Sequence, residues 1–299
     1  MWRTMRAGGK LVICLGVAAA GFLAFSVPIL AQDNAPAPAI ATVTPAEAAF
    51  ANPKQAALLQ QQFAALAPQK KGATDIYALG IAGWAKQDVF MKELDGALAS
   101  IGKVLPLQGT LRLISHPDTV QTIPLASRQN IAAAVRAVGR VIDKEEDVLL
   151  IFMTSHGTKQ GFALQLPGLS VQLSPAELAA VLKKQGIKNY VVIVSACYSG
   201  VFVKPLANDN AIVLTAADEK SASFGCISGR DWTYFGDALF NQTLKPGMDF
   251  KEAFNRARTL IQGWERLDRL AASNPQAHFG SALVRKLEPL FKTHAAADN

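Results

Sequence analysis

Two polar clusters, each directly behind a run of apolar residues, contain the side chains best suited to covalent chemistry. Ser155-His156-Gly157 follows the run VLLIFMT, and Ser195-Ala196-Cys197 follows the run YVVIV. A cysteine attacks a carbonyl carbon as its thiolate, and because a free thiol has a pKa of about 8.5 it needs a neighbouring base or a positive field. Histidine is the usual base for this task. The pair His156 and Cys197 therefore indicates nucleophilic catalysis by cysteine.

The segments around these clusters alternate between strand-like and helix-like patterns. Short apolar runs predict strands at Thr74–Ala82, Gly109–Ser115, Val148–Thr154, Tyr190–Val194 and Ala211–Ala216, and a hairpin at Phe162–Leu173. Helical spacing and capping residues predict helices at Asp88–Ile101, Ser127–Ile142, from Ser174 to Gly186, Tyr234–Leu244 and Asp249–Leu270. Repeated β-α-β units imply an α/β sandwich of three layers, with a mostly parallel central sheet and helices on both faces.

Such a sheet would bring the two clusters together. Reactive residues collect beyond the carboxyl ends of parallel strands. Neighbouring strands lie about 4.8 Å apart, so side chains at adjacent tips can meet without strain. Gly157 permits a close backbone approach, and its N–H together with that of Cys197 would bind the oxyanion of a tetrahedral intermediate.

Simpler roles exist for the same residues. A single buried cysteine is usually a small apolar core residue, and a single histidine is usually a loop residue without a catalytic role. Cys197 and Cys226 are the only cysteines beyond the first 31 residues, and in an oxidising compartment they could form a disulfide with each other. A bonded Cys197 could not act as a nucleophile.

Four blocks, in order, resemble the legumain (asparaginyl endopeptidase) family of cysteine peptidases, and most closely its bacterial exported members. The blocks are VLLIFMTSHG, YVVIVSACYSG, AIVLTAADEKSASFGC and TYFGDAL. The resemblance covers residues 74 to 276, and caspases, gingipains and the transamidase of lipid-anchor attachment are more distantly similar. It implies a caspase-like fold and cleavage of peptides or proteins through a thioester. By the same resemblance His156 is the general base and acid, Cys197 the nucleophile, Gly157 and Cys197 the oxyanion donors, and no metal or organic cofactor takes part.

The specificity pocket departs from the family pattern. Legumain-like enzymes have an acid two residues before the cysteine and an arginine near the first strand. In this chain the first of these positions is Ser195. The stretch after the first strand, Ala82–Lys86, contains no arginine, and it contains no asparagine to orient the histidine. Ser223 and Asp237 match the family's pocket-lining pattern. Because Asp237 would lack its opposite charge, we hypothesise a pocket that accepts Lys, Arg or a small polar residue better than Asp. Asp237 could equally be an acid that stabilises the start of a helix.

The composition is that of a globular protein and gives no support for nucleic-acid binding. Half of the 299 residues are hydrophobic and 18% are charged. The formal net charge is +7, but three of the 30 basic residues and none of the 23 acidic ones lie within residues 1–31, so the remainder carries +4. No block of Lys and Arg with interleaved aromatic residues occurs.

Residues 1–31 have the pattern of an export signal. Basic residues precede an uncharged stretch from Leu11 to Gln32, and Ile29-Leu30-Ala31 offers a cleavage site. The stretch is also long enough to span a bilayer, so that residues 11–30 could remain as an inner-membrane tether. Both alternatives predict a periplasmic or otherwise extracytoplasmic protein.

The chain therefore divides into four predicted segments. They are a signal peptide or anchor (1–31), an Ala/Pro/Gln-rich linker with a short helix (32–72), a caspase-like peptidase domain (73–290) and a C-terminal tail (291–299). The linker is either a tether or a segment that packs over the active site. Two alternative functions use the same residues or scaffold: a transamidase that resolves the thioester with an amine, and a non-catalytic binding protein.

Overall fold

The computed structural model describes residues 45–48, 50 and 52–297, so the predicted signal lies outside the described residues. The helices are α1 (Pro45–Ala48), α2 (Pro53–Ala64), α3 (Val89–Gly102), α4 (Arg128–Val141), α5 (Pro175–Lys184), α6 (Val203–Leu206), α7 (Tyr234–Gly236), α8 (Phe250–Leu267) and α9 (Ser281–Ala297). The strands are β1 (Ile76–Ala82), β2 (Leu107–Ile114), β3 (Val148–Thr154), β4 (Gly157–Thr158), β5 (Gly161–Leu166), β6 (Leu169–Leu173), β7 (Tyr190–Ser195), β8 (Ala211–Thr215) and β9 (Gln276–Phe279).

Six strands form the central sheet in the order β2-β1-β3-β7-β8-β9. The first five are parallel, and β9 pairs antiparallel with β8. Strands β4, β5 and β6 form a separate small antiparallel sheet, which contains the predicted hairpin. The predicted mostly parallel sheet is confirmed, and β3 and β7 are neighbours at its centre.

Apolar side chains cover both faces of the central sheet. Within β1, Tyr77 and Leu79 belong to a cluster with residues of α4 and α5, whereas the alternate residues Ile76 and Ala78 belong to a cluster with residues of α3, α8 and α9. A strand that is buried on both faces needs apolar residues at every position rather than at every second one. This is why the central strands read as continuous apolar runs, and it confirms the predicted three layers.

The helix that opens at Ser174 begins as its sequence predicts. The Ser174 hydroxyl accepts a hydrogen bond from the Glu177 N–H at 3.2 Å, and the Ser174 N–H donates to the Glu177 carboxylate at 2.8 Å. These two bonds form a capping box, which satisfies backbone donors that the first turn of a helix otherwise leaves unpaired. Pro175 occupies the first turn, where its missing N–H costs nothing.

The C-terminal region differs from the prediction. The sequence predicts no strand at β9, no helix at α9 and a tail at 291–299, whereas α9 continues through this boundary to Ala297. Proline inside a helix normally breaks it, and Pro289 lies within α9. The helix persists because Leu283, Leu287 and Phe291, which are spaced by four residues, are buried in the core. The predicted helix Tyr234–Leu244 consists of α7 followed by a π-helix at Asp237–Thr243.

Helix α2 lies along the outer edge of the sheet. The side chain of Gln62 pairs with the backbone of Arg112 on edge strand β2: its amide group donates to the carbonyl at 3.0 Å, and its oxygen accepts from the N–H at 2.7 Å. Leu59 joins the cluster that contains α4 and α5. An edge strand exposes unpaired backbone groups, and α2 covers some of those of β2. The short helix predicted within the linker therefore packs against β2 and α4.

A buried ion-pair network attaches α1 to the body of the protein. Arg128, at the start of α4, donates to Glu47 of α1 at 2.7 Å and to Glu177 of α5 at 2.9 Å. The Glu47 side chain is fully buried. Among the described residues, no helix is both long enough and apolar enough to cross a membrane.

We predict that Arg128→Met destabilises the protein strongly. The substitution keeps much of the side chain's volume but leaves two buried carboxylates without this guanidinium, which costs about 3–5 kcal/mol. The matched control is Arg256→Met, which breaks an exposed pair with Glu252 on α8 and should cost less than about 0.5 kcal/mol. Urea unfolding followed by circular dichroism measures both, and equal losses in the two variants would contradict a role for the network.

Candidate active site

The central pairing of β3 with β7 places His156 and Cys197 beyond adjacent strand tips. Thr154 and Ser195, the last residues of the two strands, are partners in the parallel register. The pairing continues one residue further, where the Ser155 N–H donates to the Ser195 carbonyl at 3.2 Å. His156 lies two residues after Thr154, and Cys197 lies two residues after Ser195. The structure therefore brings the two clusters to the same edge of the sheet, as the sequence predicts.

Gly157 lies directly against the backbone of Cys197. A Cβ atom added to Gly157 would overlap the Cys197 carbonyl oxygen and would lie 3.1 Å from the Ala196 Cβ. Real Cβ atoms do not approach a backbone oxygen so closely, so every other residue type would push the two loops apart. The close approach expected for Gly157 is therefore present.

The chain turns sharply away from the sheet immediately after Cys197. Tyr198 has a φ of 57°, a left-handed conformation that is uncommon for residues other than glycine. Its N–H donates to the Ser221 carbonyl at 2.8 Å, which holds this conformation. A Cβ atom on Gly200 would lie 2.6 Å from the backbone of Asp218, so the turn also packs tightly against the loop after β8. Such unfavourable conformations persist where surrounding contacts enforce them, often at functional sites.

Two aromatic rings and an amide hold the imidazole of His156. Trp84 and Phe90 contact it edge-on, with ring centroids at 4.9 and 5.2 Å. Burial among these rings lowers the pKa of His156, because desolvation disfavours the imidazolium. Its Nε2 lies 3.3 Å from the Oε1 of Gln87. An amide oxygen only accepts hydrogen bonds, so the imidazole donates to Gln87 in the tautomer with the proton on Nε2, in which Nδ1 is the basic nitrogen.

Gln87 is a site residue that the sequence does not predict. The stretch Ala82–Lys86, in which the sequence shows no asparagine to orient the histidine, ends one residue before it. Gln87 lies in the loop between β1 and α3, beyond the tip of the strand next to β3. A search for Gln as well as Asn in that whole loop would have found it.

Ser223 surrounds the sulfur of Cys197 with hydrogen-bonding groups. The Ser223 N–H donates to Sγ at 3.3 Å, and the Ser223 hydroxyl lies 3.8 Å from Sγ. The thiol itself donates to the Ser223 carbonyl at 3.5 Å. Hydrogen bonds to a thiolate favour the charged form. The N–H and hydroxyl of Ser223 can therefore stabilise the nucleophile after it loses its proton.

The second thiol, Cys226, is free and unreactive. Neither Cys197 nor Cys226 is in a disulfide. Burial raises the pKa of Cys226 to about 12, and the nearby Cys197 and Glu93 add to this effect because a further negative charge is unfavourable beside them. Cys226 thus stays protonated at neutral pH, and a protonated thiol is a poor nucleophile.

The other two predicted pocket residues are not in contact with the sulfur. Ser195 is only 2% exposed, and its hydroxyl lies 3.1 Å from both Glu93 and Thr233. Asp237 accepts hydrogen bonds from two amide side chains of its own π-helix. Within the described part of the chain, neither hydroxyl nor carboxylate bonds to His156 or Cys197. The Ser195 side chain, at the end of β7, is therefore buried against Glu93 and Thr233.

The match to a protein family agrees with the resemblance found in the sequence. Residues 125–288 match the model of the Peptidase C13 family. The structure is also similar to the crystal structure of caspase-1 from Spodoptera frugiperda, with a TM-score of 0.46 and 12% identity over 72% of this chain and 94% of that chain. No curated protein matches the sequence. Because the family match spans more than half of its residues, the chain belongs to the Peptidase C13 family, the legumain-like family of cysteine peptidases.

Proposed function

We propose that His156 and Cys197 are the catalytic pair of this cysteine endopeptidase. The observation that carries the proposal is the pairing of β3 with β7, which sets the two residues at equal positions beyond adjacent strand tips. Gly157, packed against the Cys197 carbonyl, fixes the distance between the two loops. Family membership supplies the reaction class, and these contacts support the choice of the two residues.

The contacts support a thioester mechanism. Nδ1 of His156 takes the proton from the Cys197 thiol, and the thiolate attacks the carbonyl carbon of the peptide bond. The N–H groups of Gly157 and Cys197 bind the oxyanion. The C–N bond then breaks, and His156 gives its proton to the leaving amine. Water, activated by the same imidazole, hydrolyses the thioester and restores the free thiol.

We predict that Cys197→Ala abolishes peptide hydrolysis and that His156→Ala lowers kcat/KM by at least about 100-fold, because the base then no longer assists proton transfer. Cys226→Ala, which removes the inert thiol, serves as the matched control and should retain activity. Fluorogenic peptides and labelling by a peptidyl acyloxymethyl ketone, located by peptide mass spectrometry, measure the effects.

Two outcomes would contradict this assignment. Labelling of Cys226 in place of Cys197 would identify another nucleophile, and a chain that is never labelled and hydrolyses none of the peptides would favour the non-catalytic binding protein. Added glycinamide separates hydrolase from transamidase, because a transamidase transfers the acyl group to the amine. Hydrolysis that continues unchanged in glycinamide supports the peptidase.

We further propose that the substrate pocket, which includes Ser223 and Asp237, accepts Lys, Arg or a small polar residue before the scissile bond. Ser223 borders the reactive sulfur. The Asp237 carboxylate bonds only to the neutral amides of Asn241 and Gln242, and within the described residues no cation forms an ion pair with it. An unpaired carboxylate attracts a cationic side chain and repels an anionic one.

We predict that peptides with Lys or Arg at this position are hydrolysed at least about tenfold faster than the Asp peptide, a ratio worth about 1.4 kcal/mol. Asp237→Asn should reduce kcat/KM for the Lys peptide and leave that for an Ala peptide unchanged. The control is Asp209→Asn. Asp209 is exposed and precedes the amino end of β8, whereas the site lies beyond the carboxyl ends of the strands, so this substitution should change kcat/KM for neither peptide. Turnover confined to Asn or Asp peptides would refute the proposal.

We also propose that the protein is exported, as a periplasmic enzyme or one tethered to the inner membrane through residues 11–30. The support is the basic start and the uncharged stretch that follows it. In a Gram-negative host, the full chain with a C-terminal tag should leave the cytoplasm, and deletion of residues 2–31 should retain it there. Intact mass separates a chain that starts at Gln32 from an uncleaved anchor in the membrane fraction. Full-length protein in the soluble cytoplasmic fraction would contradict export.

A further inference from the structure

A buried glutamate on α3 connects the two strand tips that carry the proposed catalytic pair. Glu93 is fully buried. One carboxylate oxygen accepts a hydrogen bond from the Thr154 hydroxyl at the end of β3. The other oxygen lies 3.1 Å from the Ser195 hydroxyl at the end of β7. Thr154 and Ser195 are opposite each other in the register, and each lies two residues before a reactive side chain.

The same carboxylate holds a third segment. The Thr233 hydroxyl donates to it at 2.7 Å, and the N–H of Gly236 donates as well. A Cβ atom on Gly236 would overlap the carboxylate, so glycine is needed there to admit it. Thr233 and Gly236 lie at the two ends of α7, and Asp237 of the proposed pocket follows directly. Glu93 thus joins both strand tips to the start of the π-helix.

No cation balances this charge: among the described residues, none forms an ion pair with Glu93. Burial raises its pKa to about 7, although hydrogen bonds from the three hydroxyls and the N–H oppose that rise. The titratable groups on the surrounding elements include Cys226, Tyr234 of α7 and Asp237, together with His156 and Cys197 beyond the strand tips. A carboxylate buried without a cation costs stability, and an apolar residue would fill the same volume without that cost.

We propose that Glu93 is a positioning residue: its ionised carboxylate sets the relative placement of the β3 and β7 tips, and therefore of His156 and Cys197. The inference rests on the proposed catalytic pair. An ionised carboxylate only accepts hydrogen bonds, so it can hold several donors at once. A protonated carboxyl group has an O–H of its own, which has to point at one of the three hydroxyls and reverse that bond. The arrangement at the strand tips is therefore complete only when Glu93 is charged.

The test compares Glu93→Gln with the wild-type full chain at two pH values. The variant keeps the size of the side chain but is neutral at every pH. We expect kcat/KM for the best fluorogenic peptide to fall at least about tenfold at about pH 8, where wild-type Glu93 is charged, and less than about threefold at about pH 5.5, where it is protonated. Glu265→Gln is the matched control, because Glu265 is another buried glutamate and lies on α8. It should show no such difference between the two pH values.

Each result distinguishes the alternatives. A Glu93→Gln variant with wild-type kcat/KM at both pH values, or with an equal loss at both, overturns the positioning role. Activity that survives in Cys197→Ala instead overturns the proposed function on which it rests, whatever Glu93 does.

A second variant keeps the test decisive if Glu93→Gln does not fold. Thr154→Val has nearly the same shape and removes one donor to the carboxylate. Losing a hydrogen-bond donor to the carboxylate raises the pKa of Glu93 further. The fall of kcat/KM on the acid side of its pH profile (the acid limb) should therefore move to higher pH. An acid limb that stays where it is in the wild type overturns the inference.

Discussion

The parallel pairing of β3 with β7, buried on both faces, determines where the reactive residues lie. Apolar side chains on both faces of the two strands pack against helices. A change in the register of the strands would therefore expose core residues. The register that results places Thr154 opposite Ser195. His156 and Cys197 follow this pair at equal distances along the chain, and Gly157 lies against Cys197. The chemistry therefore depends on strand register, and register depends on the core.

Burial near the strand tips also sets the chemical state of each titratable group. It lowers the pKa of His156, which favours the neutral imidazole, the form that can accept a proton. It raises the pKa of Cys226 to about 12, which keeps that thiol protonated. It raises the pKa of Glu93 to about 7. One physical effect, the cost of placing a charge in a medium of low dielectric constant, thus favours a neutral base, an inert second thiol and a carboxyl group that titrates near neutral pH.

The sequence predicted the central strands because burial on both faces leaves a continuous apolar run. It did not predict β9, a four-residue edge strand with two polar residues, or helix α9, which contains Pro289. It identified His156 and Cys197, since each directly follows such a run. It missed Glu93, whose contact with Ser195 joins residues 102 positions apart. A signal did exist: Glu93 occupies a position on the apolar face of α3, where an acid has no reason to be unless it has partners.

The N-terminal helices belong to the folded unit rather than to a removable cover of the site. Helix α2 completes hydrogen bonds of edge strand β2, which is separated from β3 by β1. Helix α1 brings Glu47 to the buried guanidinium of Arg128. Proteolytic trimming beyond Glu47 would leave that guanidinium with a single carboxylate partner, Glu177, and loss of α2 would expose backbone groups of β2. Removal of the chain before residue 45 would therefore keep both sets of contacts, whereas removal of α1 or α2 would break them.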